Sequence, residues 1–284
     1  MYQPSVEIQK SNLNKFCQEV EELINDLVQE NYVLNWDEDF LTRKFLSQLT
    51  QRLNGSLITD LENRVVFLTP FKLTKPVEKK FGDIAIIVTI EFGDGDKIEG
   101  IAFLEAKRKY KESRNFDAIK WEQLERIYQN APHSQLLLYD FRDISEFAST
   151  GLVSKKNATA GNPMAQLPVT KFVTAPINKA IQVRQNNERL YKLSLPVSYQ
   201  LAYRYLNGFD LDFVNDKLKQ VKSDFAKNYE NVDLEIPAYL IYVSIVPDKS
   251  VKEDRNLYSK EKRMGYIPDS GIDERLYSKI KPNE

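Results

Sequence analysis

Apolar positions at the start of the chain predict two amphipathic helices. Between residues 12 and 30 apolar side chains recur every three or four positions, the spacing that places them on one face of a helix. A second helix is expected to follow Asn35 as its cap, with Glu38 at the third helical position, and to end at Asn54-Gly55. Each helix therefore has a face for a hydrophobic core.

The next part of the chain changes to a β-type pattern. Three segments are rich in β-branched and aromatic side chains: residues 65–68, 84–90 and 98–104. Gly93 and Gly95 provide a turn between the last two, which indicates an antiparallel hairpin. A helix over 114–129 and a strand over 135–141 follow, and this crossover permits a parallel pair. The order predicts an α/β fold with a mixed sheet flanked by helices.

The second half of the chain begins with a change in composition. Residues 149–166 are small and polar and predict a long surface loop. Helical patterns then resume over 176–193, 196–206 and 212–229, before one more apolar strand over 239–246. We expect a core at residues 1–145 and a mainly helical C-terminal elaboration at 146–284 that packs on the core and contacts substrate or a partner.

Composition excludes several kinds of functional site. A single cysteine and a single histidine rule out zinc knuckles, disulfide frameworks and two-histidine metal sites. Cys17 falls on the apolar face of the first helix, which favours a core position. The N-terminus lacks the pattern of a secretory signal, and no run of 18 apolar residues is present. We therefore expect a cytoplasmic protein with no membrane partner.

Ionisable residues at the predicted hairpin suggest chemistry. Alternate residues of a strand share a face, so Glu105 and Lys107 are neighbours at the end of an apolar strand. Asp83 opens the preceding strand and can face either of them across the hairpin. Two converging carboxylates repel each other unless a cation intervenes, and oxygen ligands without histidine or thiolate favour Mg²⁺ or Mn²⁺. A lysine beside such a metal can help to deprotonate water or stabilise charge on a phosphate.

These residues also carry a family resemblance. Gly82-Asp83, followed 22 residues later by Glu105-Ala106-Lys107, resembles the motif of the PD-(D/E)xK nuclease superfamily, the fold of many restriction endonucleases. The similarity covers about residues 35–141, including the order of helix, three strands, helix and strand. Gly82 stands where the name-giving proline would be. The resemblance implies a restriction-endonuclease-like core in which Asp83 and Glu105 are metal ligands and Lys107 is the catalytic lysine.

Two further residues are added by the same resemblance. Such enzymes often use an acid from an upstream helix, for which Glu38 is our choice; an ordinary capping role is the alternative interpretation, and three acids are substitutes: Asp37, Asp39 and Glu22. A glutamine on the crossover helix supports the active site in several families, and Gln123 lies within the apolar stripe of that helix. A glutamine bonded to backbone at the sheet surface is the alternative.

The net charge of −1 gives no general attraction for nucleic acid, so any basic surface must be local. Candidates for contacts to backbone phosphates are one run on the strand end and one pair in the predicted loop: Arg108, Lys109 and Lys111, and Lys155 and Lys156. A solvated strand exit is the ordinary interpretation of the first run.

Together these features predict a Mg²⁺-dependent DNA endonuclease of the restriction or anti-phage type. The resemblance implies that its products have 5′-phosphate and 3′-hydroxyl ends. A homodimer or a partner protein of a defence system fits this prediction. The alternatives are a non-catalytic nucleic-acid or protein interaction module on the same fold, a repair or junction nuclease, and an RNA nuclease.

Overall fold

The two N-terminal helices form as their patterns predict. The computed structural model describes residues 10–73, 81–146, 169–222, 237–248 and 277–281. Helix α1 (Leu13–Asn31) is capped by Asn12, whose side chain accepts from the N–H of Lys15, and helix α2 spans Glu38–Leu53. The predicted cap of α2 is wrong. Asp37 accepts the N–H of Phe40, which makes Glu38 the first helical residue and not the third.

A mixed sheet lies at the centre of the described residues. Its strands in chain order are β1 (Lys10–Ser11), β2 (Ser56–Ile58), β3 (Arg64–Leu73), β4 (Ile84–Glu91), β5 (Lys97–Arg108), β6 (Gln135–Ile144), β7 (Thr170–Pro176), β8 (Leu195–Pro196), β9 (Tyr239–Pro247) and β10 (Tyr277–Lys279). The spatial order is β1-β2-β3-β9-β4-β5-β6-β7-β8, and β10 pairs with β3. The predicted α/β class with a mixed sheet is confirmed.

The predicted local strand pairings are present. Strands β4 and β5 form an antiparallel hairpin, and β5 pairs with β6 in parallel. Strand β9 was predicted as a strand, but its place was not. It lies between β3 and β4, antiparallel to the first and parallel to the second. Both halves of the chain therefore build one sheet.

The second half is less helical than its pattern predicts. Strand β7, which the pattern did not indicate, pairs with β6. The helical prediction for 176–193 is realised as helix α4 (Ile177–Val183) and a 3₁₀ segment, Glu188–Leu193. Helix α5 (Val197–Tyr199) continues through a π-helical and a 3₁₀ turn to Asn207, and helix α6 spans Asn215–Lys222. The predicted loop at 149–166 lies outside the described residues.

The crossover helix is shorter than predicted. Helix α3 spans Trp121–Asn130, whereas the pattern indicated a start at residue 114. Phe116 instead pairs with Lys109 in an isolated β-bridge, and the N–H of Asp117 donates to the carbonyl of Arg108. Phe116 is still fully buried. Extended backbone pairing at the end of β5 thus replaces the first helical turns while keeping the apolar side chain inside.

Helices cover both faces of the sheet. On one face α1, α2 and α5 pack against side chains such as Ala102, Leu104 and Ala106 of β5. On the other, α3 and α4 pack against Leu136 and Leu138 of β6. Hydrophobic burial on both faces leaves the strand ends as the places where polar groups meet solvent. No helix in the described ranges is long and apolar enough to cross a membrane.

Candidate active site

Asp83 and Glu105 meet where β4 begins and β5 ends. The hairpin register pairs Ile84 with Leu104, so the residues one step beyond them face each other. The N–H of Asp83 donates to the carbonyl of Leu104 at 2.8 Å, and Asp83 Oδ2 accepts the N–H of Ala106 at 2.8 Å. Both carboxylates are buried, with relative exposures of 5% for Asp83 and 1% for Glu105. The hairpin register therefore places the backbones of the two acids opposite each other at this edge of the sheet.

Gly82 has a backbone that proline could not adopt. Its φ is +93°, and a Cβ at this position would lie 2.7 Å from the carbonyl oxygen of Leu104. Proline fixes φ near −65°, and other L-residues rarely adopt so positive an angle. The departure from the name-giving proline therefore follows from the tight turn that carries the chain into Asp83.

Lys107 and Glu105 form a buried ion pair. Lys107 Nζ donates to Glu105 Oε1 at 2.7 Å and to the carbonyl of Ala106 at 2.7 Å. Only 11% of the Lys107 side chain is exposed. The ammonium offsets part of the desolvation free energy of the buried Glu105 carboxylate. It also gives the site a positive charge at its outer edge.

The upstream acid at the site is Glu38. Its Oε2 lies 3.8 Å from Lys107 Nζ, and 26% of its side chain is exposed. The substitute acids have other places: Asp37 caps α2, Asp39 accepts from the hydroxyl of Tyr239, and Glu22 is exposed on α1. Glu38 cannot have the predicted capping role, because that role requires the third helical position and Glu38 is the first residue of α2. Glu38 is thus the acid that the fold brings to Lys107.

Gln123 reaches the same carboxylate from α3. Its Nε2 donates to Glu105 Oε1 at 3.1 Å, and the side chain is partly buried. The side-chain donor is directed at the acid, whereas the alternative interpretation had it bonded to backbone. Tyr128, five residues later, is 37% exposed. Glu105 Oε1 is therefore held by two donors, one charged and one neutral.

The charges around Lys107 keep it protonated. Burial by itself lowers the pKa of this ammonium, but the negative charges of Glu105, Glu38 and Asp83 outweigh that effect, and the pKa lies above its ordinary value. At neutral pH Lys107 is consequently a cation. It can attract a phosphate or orient water, and it is poorly suited to removing a proton in this charge environment.

The donor set is compatible with a hard divalent cation. Among the described residues no group of three or more His, Cys, Asp or Glu side chains has the arrangement of a metal site. Mg²⁺, however, is commonly held by one or two carboxylates, with water and substrate phosphate supplying the other oxygens. Asp83 and Glu105 would supply such a pair, and Glu38 adds negative charge 3.8 Å from the Lys107 ammonium.

The basic run on β5 divides into different environments. Lys109 is fully buried and paired with Asp140 and Glu188, so it cannot reach a phosphate and its predicted role is wrong. Arg108 pairs with Asp117 at 3.0 Å and keeps 26% of its side chain exposed. Lys111 Nζ donates to the carbonyl of Val33 at the surface. Lys155 and Lys156 lie outside the described residues.

Sequence reasoning missed one group beside the site. The N–H of Tyr239, the first residue of β9, donates to the carbonyl of Asp83, and its hydroxyl donates to Asp39 Oδ1 at 2.6 Å. Lys72 lies over the ring of Tyr239, with Nζ 5.3 Å from the ring centroid. No local pattern identifies these residues, because they reach the site only through the insertion of β9 between β3 and β4.

Comparisons with protein-family models, with curated proteins and with solved structures found no match to this chain. The resemblance to the PD-(D/E)xK superfamily therefore remains an expectation that rests on the residues and element order given above.

Proposed function

We propose that this protein is a Mg²⁺- or Mn²⁺-dependent nuclease that hydrolyses DNA phosphodiester bonds. The observation that carries the proposal is the ion pairing of the Lys107 ammonium with Glu105 and Glu38, while Asp83 is bonded to the N–H of Ala106, the residue between Glu105 and Lys107. These residues come from β4, β5 and α2. Buried charges are costly unless they serve a structural pair or a ligand, and strongly interacting ionisable groups at an edge accessible to solvent are typical of functional sites.

In this proposal each residue has a defined task. Asp83 and Glu105 would hold the metal, which when bound polarises the phosphate and makes a water molecule more acidic. Lys107 offsets negative charge on the phosphate and orients the attacking water through its N–H groups. Gln123 is a positioning residue that fixes the Glu105 carboxylate through Oε1.

Hydrolysis adds one water across the phosphodiester. The water oxygen forms a new bond to phosphorus, and the bond from phosphorus to the 3′ oxygen breaks. The water loses a proton to solvent, and the departing 3′ oxygen gains one. The products are a 5′-phosphate and a 3′-hydroxyl. Restriction or anti-phage defence, as part of a homodimer or with a partner protein in the cytoplasm, is the setting that we propose.

Cleavage assays on the full-length protein test the proposal. Supercoiled plasmid, linear DNA and RNA are incubated with Mg²⁺, with Mn²⁺ and with EDTA, using wild type, Asp83→Asn and Lys107→Ala. We expect metal-dependent DNA cleavage that each substitution lowers by at least about 100-fold, because each removes a charge-stabilising group. Asp26→Asn, which changes an exposed carboxylate paired with Arg52 on the surface, is the matched control and should cleave like wild type.

Three outcomes would redirect the proposal. Cleavage of RNA alone would keep the mechanism and change the substrate. Absence of cleavage by wild type, or equal cleavage by the Asp83 and Lys107 variants, would leave the non-catalytic interaction module as the better explanation. In that case the Lys107–Glu105 pair would be a structural ion pair.

A further inference from the structure

Lys72 and Tyr239 lie at the end of the sheet that carries the candidate active site. The register pairs Tyr239 of β9 with Lys72 of β3 on one side and with Ile84 of β4 on the other. Ile84 in turn pairs with Leu104 of β5. Lys72, Tyr239 and the Asp83–Glu105 pair therefore lie at the same end of four neighbouring strands. Two strand spacings, about 10 Å, separate the backbones of β3 and β4. The first turn of α2 links Lys72 to the candidate site, because Glu38 lies 3.8 Å from Lys107 Nζ and the next residue, Asp39, lies 3.6 Å from Lys72 Nζ.

Lys72 is held in a defined place without being buried. Its Nζ is 5.3 Å from the centroid of the Tyr239 ring and 3.6 Å from Asp39 Oδ2. Tyr239 is itself 2% exposed and anchored by its hydroxyl on Asp39 Oδ1. A fixed aromatic ring beneath an ammonium restrains that ammonium by cation–π attraction. The ammonium of Lys72 is thus held in place beside the first turn of α2, which also carries Glu38 of the candidate site.

The ion pair between Lys72 and Asp39 is weak enough for a phosphate to replace Asp39 as the partner of Lys72. The side chains of Lys72 and Asp39 are 41% and 60% exposed, and exposed pairs contribute little net stability because water screens them. Arg43 adds a second positive charge near Tyr239, where it favours the ionised form of the hydroxyl and so opposes the rise of its pKa on burial. Its Nε is buried and has no hydrogen-bond partner within the described part of the chain. Lys72 and Arg43 together oppose the acids of the first turn of α2.

We propose that Lys72, steadied by Tyr239, binds a backbone phosphate of the substrate strand next to the phosphate that is cleaved at Asp83 and Glu105. This subsite rests on the proposed function and extends it, because it defines the direction in which the nucleic acid passes the first turn of α2. The contact is to the phosphate and carries no base specificity.

Salt-dependent binding measures this contact separately from cleavage. A short fluorescein-labelled DNA duplex and an RNA of the same sequence are titrated with Asp83→Asn protein, in which we expect cleavage to be suppressed. The same titration is made with Lys72→Ala, Lys72→Arg and Lys97→Ala added to that background, between about 50 and 200 mM salt. Lys97 is the matched control, since it is an exposed lysine at the opposite end of β5.

We expect Lys72→Ala to weaken binding several-fold and to reduce the slope of log K against log salt by about 0.9, the value for one lost phosphate contact. Lys72→Arg should restore the slope, and Lys97→Ala should leave it unchanged. In otherwise wild-type protein, Lys72→Ala should raise KM and leave kcat nearly unaltered, because it acts on a phosphate that does not react.

The subsite and the nuclease function can fail separately. An unchanged slope for Lys72→Ala, together with loss of cleavage in Asp83→Asn, would overturn the subsite and support the nuclease. A Lys72-dependent slope in a protein that cleaves nothing would support the subsite and overturn the nuclease. Equal losses for Lys72→Ala and Lys97→Ala, or binding to neither nucleic acid, would overturn the subsite.

Discussion

Lys107, on β5, and Lys109, just after β5, are both buried but have different surroundings. Lys107 and Lys109 are two residues apart, and each is paired with carboxylates. Lys109 is sealed inside by Asp140 and Glu188, which makes it a structural charge. Lys107 keeps contact with solvent at the strand end, where a charge can also meet a ligand. The difference between these roles depends on a few ångströms of depth.

Glu21 is a buried acid outside the candidate site. It lies on α1 with 8% exposure, and Ser198 donates to its Oε1. Burial raises the pKa of Glu21 to about 7, against the opposing hydrogen bonds from Ser198 and Thr170 and the charge of Lys171. Near neutral pH the folded protein therefore holds a proton that the unfolded chain has released.

This proton makes stability depend on pH. Between the unfolded pKa of 4.5 and the folded pKa of about 7 the folded state binds more protons, so the free energy of unfolding falls as pH rises. We expect Glu21→Gln to be more stable than wild type by on the order of 2 kcal/mol at about pH 8, and by much less at about pH 5. Urea unfolding at the two pH values measures the difference. Glu22→Gln, at an exposed neighbouring position, is the control, and an equal effect at both pH values would contradict the prediction.

At the scale of elements, the turn before β4 sets the position of Asp83. Gly82 combines a positive φ with close contact to the backbone of Leu104, whereas Gly93 in the β4–β5 hairpin has open space around its Cβ direction. The two glycines flank the same strand. They allow a comparison of a required glycine with a tolerant one.

We expect Gly82→Ala to lower the free energy of unfolding by about 1–3 kcal/mol and Gly82→Pro to lower it further, because proline cannot adopt the positive φ. Both changes should also reduce the nuclease activity that we propose, since they move Asp83. Gly93→Ala should change stability by less than about 1 kcal/mol. Urea unfolding of the three variants measures this. A Gly82→Pro protein as stable as wild type would show that the turn tolerates the proline of the family motif.

At the scale of the whole molecule, β9 joins the two halves of the chain. It pairs with β3 from Arg64 to Lys72 and with β4 from Ile84 to Ile90. Its side chains Leu240, Ile241, Val243 and Ile245 are buried. Without β9 the edges of β3 and β4 would both lack a hydrogen-bonding partner, and two buried strand edges are costly.

We therefore expect a fragment of residues 1–145 not to fold by itself, although it contains the whole resemblance to the nuclease motif. Circular dichroism during urea titration should show a cooperative transition for the full chain and none for the fragment. A cooperative transition of the fragment at the same midpoint would mean that β9 is dispensable and that the predicted boundary near residue 145 separates independent units.

The sequence by itself determined the features that depend on local periodicity. Helices α1 and α2, the β4–β5 hairpin and the parallel β5–β6 crossover follow from apolar spacing and turn residues, since these act within about 40 residues of chain. The hairpin also brings Asp83 and Glu105 together, because antiparallel register fixes which residues face each other.

Tertiary structure alone decided the rest. The choice of Glu38 over Asp37 and Asp39 depends on where α2 begins, and the burial of Lys109 depends on Asp140 and Glu188, which lie on other elements. Tyr239 and Lys72 are 167 residues apart and meet because β9 enters the sheet beside β3. Pairings over such distances are set by the global arrangement of strands, which hydrophobic pattern does not encode locally.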